Sequence, residues 1–158
     1  MELNTRGRYA VMAMADLARL CLDAGSVPLS TIAERQMISL AYLEQLFAKL
    51  RRANLVESVR GRSGGYRLAK AASAITVADV MVAVAESTDL TRCGFDAGEP
   101  CLAGKRCLTH DLWDALGDHI DQFLVSVTLQ QLVDGKITRR APPMVVPDVV
   151  FTGGVVTR

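Results

Sequence analysis

The chain has 158 residues, half of them hydrophobic, with a net charge of +1 and four cysteines. That is enough chain for one ordinary domain that buries about two-thirds of its unfolded surface, so its stability needs no disulfide framework. The longest apolar runs, AVMAMA at 10–15 and VMVAVA at 80–85, are far short of the roughly 20 residues that span a bilayer, which argues against a membrane protein. Asp16 and Arg19 interrupt the apolar N-terminal stretch, so it does not read as a signal peptide, and the cytoplasm is the expected compartment. Clustered cysteines there are metal ligands or redox groups more often than disulfide partners. The charge is uneven: residues 1–70 hold 11 Lys and Arg against 6 Asp and Glu, and residues 71–158 hold 7 against 11. A basic N-terminal half suits a polyanion such as nucleic acid, although an ordinary solvated surface would look the same.

Residues 6–22, RGRYAVMAMADLARLCL, place Tyr9, Ala13, Leu17 and Leu20 at helical spacing behind Thr5 as a cap, and predict a buried helix. After Gly25, PLSTIAERQ predicts a short helix capped by Ser30 or Thr31, with Thr31 and Glu34 at capping-box spacing. A turn at MIS leads to Ser39 and LAYLEQLFAKLRRA, where Leu43, Leu46, Phe47 and Leu50 form one face and Ala41, Tyr42, Gln45, Lys49 and Arg52 the other. This is the pattern of a helix-turn-helix whose second helix can enter a major groove. LVESVRGRSGGYRLAK then reads as strand, Gly-rich turn and strand, a wing with Arg60, Arg62 and Arg67 around its tip. A surface hairpin with solvated arginines is the plainer alternative.

The expected DNA-contacting residues are Ser39, Ala41, Tyr42, Glu44, Gln45, Arg60 and Arg62. Gln45 can bond an adenine in bidentate fashion, and Tyr42 can reach a phosphate or a thymine methyl. Glu44 is repelled by phosphates unless it accepts from a cytosine, so it either discriminates between sites or merely neighbours basic residues on a solvated face.

ITVADVMVAVAE at 75–86 predicts a packing helix capped by Thr76 and apolar on nearly every side. In THDLWDALGDHIDQFLVSV, Trp113, Leu116, Ile120, Phe123 and Val127 recur at heptad spacing. An intramolecular core would also explain this stripe, but a homodimer seam is favoured, which would set two reading helices on a palindromic operator. Thr128 caps a further short helix, LQQLVD, and residues 136–158 read as a loose tail. The expected architecture is mainly α with a small β wing: a winged helix-turn-helix over 1–72, dimerisation helices over 73–135 carrying a loop at 88–110, and the tail.

Between the last two helical patterns stand Cys93, Cys101, Cys107 and His110, spaced C-x7-C-x5-C-x2-H among glycines and charged residues. Four such donors satisfy one tetrahedral zinc or a [2Fe-2S] cluster. Zinc sites usually contain a closer cysteine pair, and wider intervals suit a cluster. One imidazole in place of a thiolate makes a cluster site less negative, easier to reduce and easier to lose when the ring is protonated. Thr109 as a cap puts His110 in a first helical turn, facing the anionic centre with the helix's positive end. Cys21 reads as a small core residue and His119 as a helix histidine. No catalytic constellation appears, so an enzyme is not expected.

RGRYAVMAM, SLAYLEQLFAKLRRANLVESVRG, GGYRLAK, TRC and KRCLTHDLW together resemble the IscR branch, iron-sulfur cluster regulators within a bacterial family of winged-helix transcription factors. The resemblance covers about residues 1–135, and CLTH with two upstream cysteines is its most specific part. It implies a homodimer that binds double-stranded DNA, ligates [2Fe-2S] through Cys93, Cys101, Cys107 and His110, receives the cluster from iron-sulfur assembly proteins, and represses cluster-assembly genes when loaded. It further implies that the cluster-free form binds a second class of DNA site; the chemistry of Glu44 makes that residue the candidate gate between the two classes. The seven residues between Cys93 and Cys101 exceed the five of the family pattern. Two other readings share these residues: a zinc-stabilised DNA-binding protein without sensing, and a redox carrier using the same cluster.

Overall fold

The computed structural model describes residues 5–61, 64–86 and 107–137. Helix α1, Thr5–Ala24, is continuous through the expected cap Thr5, and its innermost stripe is Ala10, Ala13, Met14 and Leu17, all without exposed surface. These are i, i+3, i+4 and i+7, so they form one inward face. Tyr9 and Leu20 border it, half-buried.

Helix α2, Leu29–Gln36, starts earlier than its capping residues predict. Pro28 is the N-cap at extended φ and ψ, and no side chain caps the helix, so the Thr31 and Glu34 box does not form. The cause is tertiary: Val27 exchanges two backbone hydrogen bonds of 2.8 Å with Tyr66, which fixes the chain just ahead of Pro28. The turn after α2 passes through Met37 in the left-handed region, φ 53°. Helix α3, Leu40–Arg52, follows with Ser39 as N-cap and buries Leu43, Leu46, Phe47 and Leu50, the predicted stripe.

Strands β1, Val56–Val59, and β2, Gly65–Leu68, pair antiparallel with Val56 opposite Leu68 and Glu57 opposite Arg67, forming the expected wing. Its root is tied to the helices twice, by the bridge to Val27 and by Tyr66, whose ring meets Phe47 edge-on at 5.0 Å. Gly65 is required by this approach, because a Cβ there would lie 2.4 Å from the Val27 carbonyl carbon and oxygen.

A 3-10 turn at Ala72–Ala74 leads to α4, Val77–Ala83, shorter than predicted and buried through Val77, Val80 and Met81, with Val84 behind them. Val82 is 76% exposed, so α4 is not covered all round. It points away from the stripe that 77, 80, 81 and 84 define at helical spacing. Helices α5, His110–Ser126, and α6, Leu129–Asp134, complete the described fold. Thr76 caps α4 in a reciprocal box with Asp79, and Thr128 caps α6 in another with Gln131. The two caps lie back to back, since Val77 N–H donates to the Val127 carbonyl at 2.8 Å and Leu129 N–H to the Ile75 carbonyl at 2.9 Å. Ile75, Val80, Val84 and Leu129 belong to the same core as Leu43, Phe47 and Leu50.

Buried Asp16 on α1 receives a bidentate pair of bonds from Arg35 of α2, Nε to Oδ2 at 2.9 Å and Nη2 to Oδ1 at 3.0 Å. Burial alone would raise the Asp16 carboxyl, but bonds from Arg35 and Gln36 and the charges of Arg35 and Arg19 hold it below its ordinary value of 3.8. A depressed folded value means that the stabilisation is present above 3.8 and is lost as pH falls through the lower folded value. Asp16→Ala is expected to cost about 1–3 kcal/mol in urea unfolding at neutral pH, towards the lower figure because Arg35 keeps access to water. The gap from the parent protein should narrow below pH ~4; equal stability at neutral pH would show that the pair contributes nothing. Gly65→Ala should cost about 1–3 kcal/mol by the same measurement, because backbone rather than a movable side chain must give way.

Candidate nucleic-acid interface and metal-ligand segment

The solvent face of α3 carries Ser39, Ala41, Glu44 and Gln45, all exposed. Ser39 makes no side-chain bond to the helix that it precedes. Tyr42 is half-buried and meets Tyr9 of α1 edge-on at 6.1 Å, so it steadies the helix as well as bordering its outer face. Arg51 and Arg52 extend this face at the C-terminal end. Arg60 is exposed at the end of β1, whereas Arg62 lies outside the described residues. Arg67, expected among the cations of the wing tip, is paired across the strands with Glu57, Nη2 to Oε2 at 2.8 Å, and contributes little net charge there. The register that sets Glu57 opposite Arg67 is not readable from charge counting.

Two features of this face escaped sequence reading. Met37 is 92% exposed at the turn, and Leu40 also stands open at the start of α3. Both flank the positions expected to read DNA: Met37 sits in the left-handed turn outside either helix, and Leu40, although in step with Leu43 and Phe47, lies in the first turn of α3. Lys49, expected outward, is half-buried and donates to the Val84 carbonyl at 3.3 Å.

Of the four expected ligands, Cys93 and Cys101 lie outside the described residues. Cys107 and His110 are brought together at the start of α5, where His110 N–H donates to the Cys107 carbonyl at 3.1 Å and the Cys107 Sγ lies 3.6 Å from Thr109 Oγ1. Thr109 takes the N-cap position without a side-chain bond to the helix. Both ligand candidates are partly exposed. A thiol and an imidazole held within one turn, at a helix's positive end, fit a metal or an anionic cluster. Among the described residues no group of three donors forms, two of the four lying outside them. Burial pushes the Cys21 thiol up, with a backbone bond at Leu68 acting the other way, which suits the core reading of that residue.

Helix α5 leans on α4 through its C-terminal part, with Phe123 and Leu124 packed beside Val77, Met81 and Val127. Its N-terminal half leaves Leu112, Trp113 and Leu116 open, Trp113 at 39% and Leu116 at 40%. Ile120 and Phe123 are half-buried. Val127 departs from the expected stripe: it is the C-cap of α5 in extended backbone, and it is buried inside the chain by the bridge between the two capping boxes. Among the described residues no helix is long and apolar enough to cross a membrane.

Residues 3–135 match the model of a family described as Rrf2, iron-dependent transcriptional regulator. The chain is 55% identical to the HTH-type transcriptional regulator IscR of Photorhabdus laumondii over 136 residues, which cover 86% of this chain and 81% of that one. It is 53% identical to a putative HTH-type transcriptional regulator of Neisseria meningitidis, over 86% of this chain and 90% of the relative. Among solved structures, IscR of T. potens superposes with a TM-score of 0.70 at 36% identity, covering 85% of this chain and 88% of that one. CymR, the global cysteine regulator of B. subtilis, superposes with the same TM-score at 32% identity, covering 85% and 98%. These relatives are regulators rather than enzymes, and their winged-helix fold is the one built here from α1–α3 and the wing. The chain belongs to the Rrf2 family of iron-dependent transcriptional regulators and is an IscR-type member of it.

Proposed function

We propose that this regulator senses an iron-sulfur cluster and, when loaded with [2Fe-2S], represses genes for cluster assembly from the cytoplasm. The observation that carries the reading is the placement of Cys107 and His110 in one turn at the start of α5, directly before the open apolar face of that helix. Cys93, Cys101, Cys107 and His110 would hold the cluster, and Trp113, Leu116, Ile120 and Phe123 would face a second copy, so loading is tied to the start of the dimer helix. The cluster supplies a reducible anionic centre that can be lost, which is what a sensor requires. A twofold dimer presents two α3 helices to a palindromic operator on double-stranded DNA. Ser39, Ala41, Tyr42, Glu44 and Gln45 would read the groove, with Arg60 and Arg62 on the backbone beside it. Iron-sulfur assembly proteins are the natural cluster donors. Loading would shift the population of α3 and wing arrangements, and Glu44 would decide which class of site each form accepts.

Protein purified without oxygen should absorb visible light, carry about two irons and two sulfides per chain, and sediment as a dimer. Cys93→Ala, Cys101→Ala, Cys107→Ala and His110→Ala should each lower iron and sulfide content after anaerobic reconstitution. A colourless chain with one zinc, still so after reconstitution, would establish the structural-clip reading instead. Glu44→Ala should raise the affinity for sites that the parent form rejects by about 5- to 30-fold, the size of one base-specific contact, in anisotropy titrations of loaded and cluster-free protein. Unchanged affinities in both forms would remove Glu44 from the gate.

A further inference from the structure

The C-terminus of α4 is gripped from two other helices. Its own cap closes through Ala85, left-handed at φ 56°, whose N–H donates to the Val82 carbonyl while Glu86 N–H donates to that of Met81, each at 3.0 Å. The carbonyls that follow turn elsewhere: Lys49 Nζ of α3 is 3.3 Å from Val84 O, and Arg6 Nη1 of α1 is 3.3 Å from Ala85 O. Gly7 keeps α1 close at this point, since a Cβ there would lie 2.6 Å from Met81 Sδ and 2.8 Å from Glu86 Cγ.

Lys49 divides the basic end of α3. Arg51 and Arg52 point to solvent, where phosphates would be, but Lys49 lays its stem against the protein and spends its ammonium on a carbonyl. That carbonyl lies at the root of the chain that carries the cysteines, because residue 87 follows Glu86 directly and Cys93 stands seven positions after it. The other end of α4 is bonded to the end of α5, Val77 N–H to Val127 O. So α4 meets the sensor half at both of its ends and the reading helix through Lys49.

We propose that Lys49 is a positioning residue: its bond to Val84 sets how the reading helix sits on α4 and carries a change at the cysteine segment to α3, and it does not contact DNA phosphate. The regulatory half of this inference rests on the cluster-sensing reading, and the positional half on geometry alone.

The test compares Lys49→Met, which keeps the stem and loses the donor, Lys49→Arg, which keeps a donor, and Arg52→Met, an outward cation on the same helix. Each is made in the full chain and studied loaded and cluster-free. The probe is a duplex selected from a random pool on the parent protein, with a scrambled duplex as reference. Arg52→Met should reduce the slope of log affinity against log salt by about one, and Lys49→Met should leave that slope unchanged. Lys49→Met should bring the loaded and cluster-free affinities within about twofold of each other and reduce the preference for the selected duplex by about tenfold, with Lys49→Arg restoring both. Amide exchange at Ala85 and Glu86 should quicken in Lys49→Met. A salt slope reduced by about one with preference intact would overturn the inference in favour of a phosphate contact. Unchanged exchange would also overturn it. If the parent protein itself binds equally well in both forms, the sensing reading fails, and exchange and salt slope still decide the place of Lys49.

Discussion

The reading helix, the wing and the helix α4 on which α5 leans are positioned against the buried face of α1. Helices α2, α3, α4 and α6 and strand β2 all touch this 20-residue helix. Alanines at 10 and 13 let its neighbours come close, and Met14 and Leu17 fill the space between them. Burying a side chain of that size stabilises by about 1.5–3 kcal/mol, compared with about 0–1 kcal/mol for an exposed ion pair such as Glu57 with Arg67. The apolar contacts therefore supply most of the energy that holds the reading helix and wing in place, and Lys49 adds a polar tie between α3 and α4. The cations left exposed and unpaired among the described residues are free to serve recognition.

The winged half was legible because each of its elements carries its own period. The stripe Leu43, Leu46, Phe47 and Leu50 and the strand residues Val56, Val59, Tyr66 and Leu68 stand where spacing put them. The starts of α4, α5 and α6 were legible for a local reason as well, a threonine at the N-cap position ahead of a helical pattern. What sequence could not show was set by partners far along the chain. The start of α2 was decided by a bridge to Tyr66, and Val127 left its helix because α4 captured its carbonyl. Heptad spacing registers only the apolar side chain, not the backbone bond that claims it. Of the expected ligands, Cys107 and His110 stand at the helix start that Thr109 foretold, while Cys93 and Cys101 lie outside the described residues.

The surplus of positive charge in the first 70 residues also changes meaning once partners are known. Arg35 holds Asp16, Arg67 holds Glu57, and Arg6 and Lys49 hold carbonyls at the end of α4. These four cations stabilise the fold or its junctions, and the field offered to a polyanion comes from the remainder, with Arg51, Arg52 and Arg60 exposed near the reading helix and wing. Net charge pointed to the right kind of partner, but residue by residue it overstated the footprint.

The back-to-back capping boxes have one more implication. The chain leaves the core at the end of α4 and re-enters it beside the start of that same helix, whose seven residues are only about 10 Å long. Glu86 and Val127 are thus held at the two ends of one short helix, and lengthening a chain between two such fixed points adds little to the cost of closing it. A fold built this way lets the length of chain between α4 and α5 vary without re-solving the packing of α1–α3 and the wing.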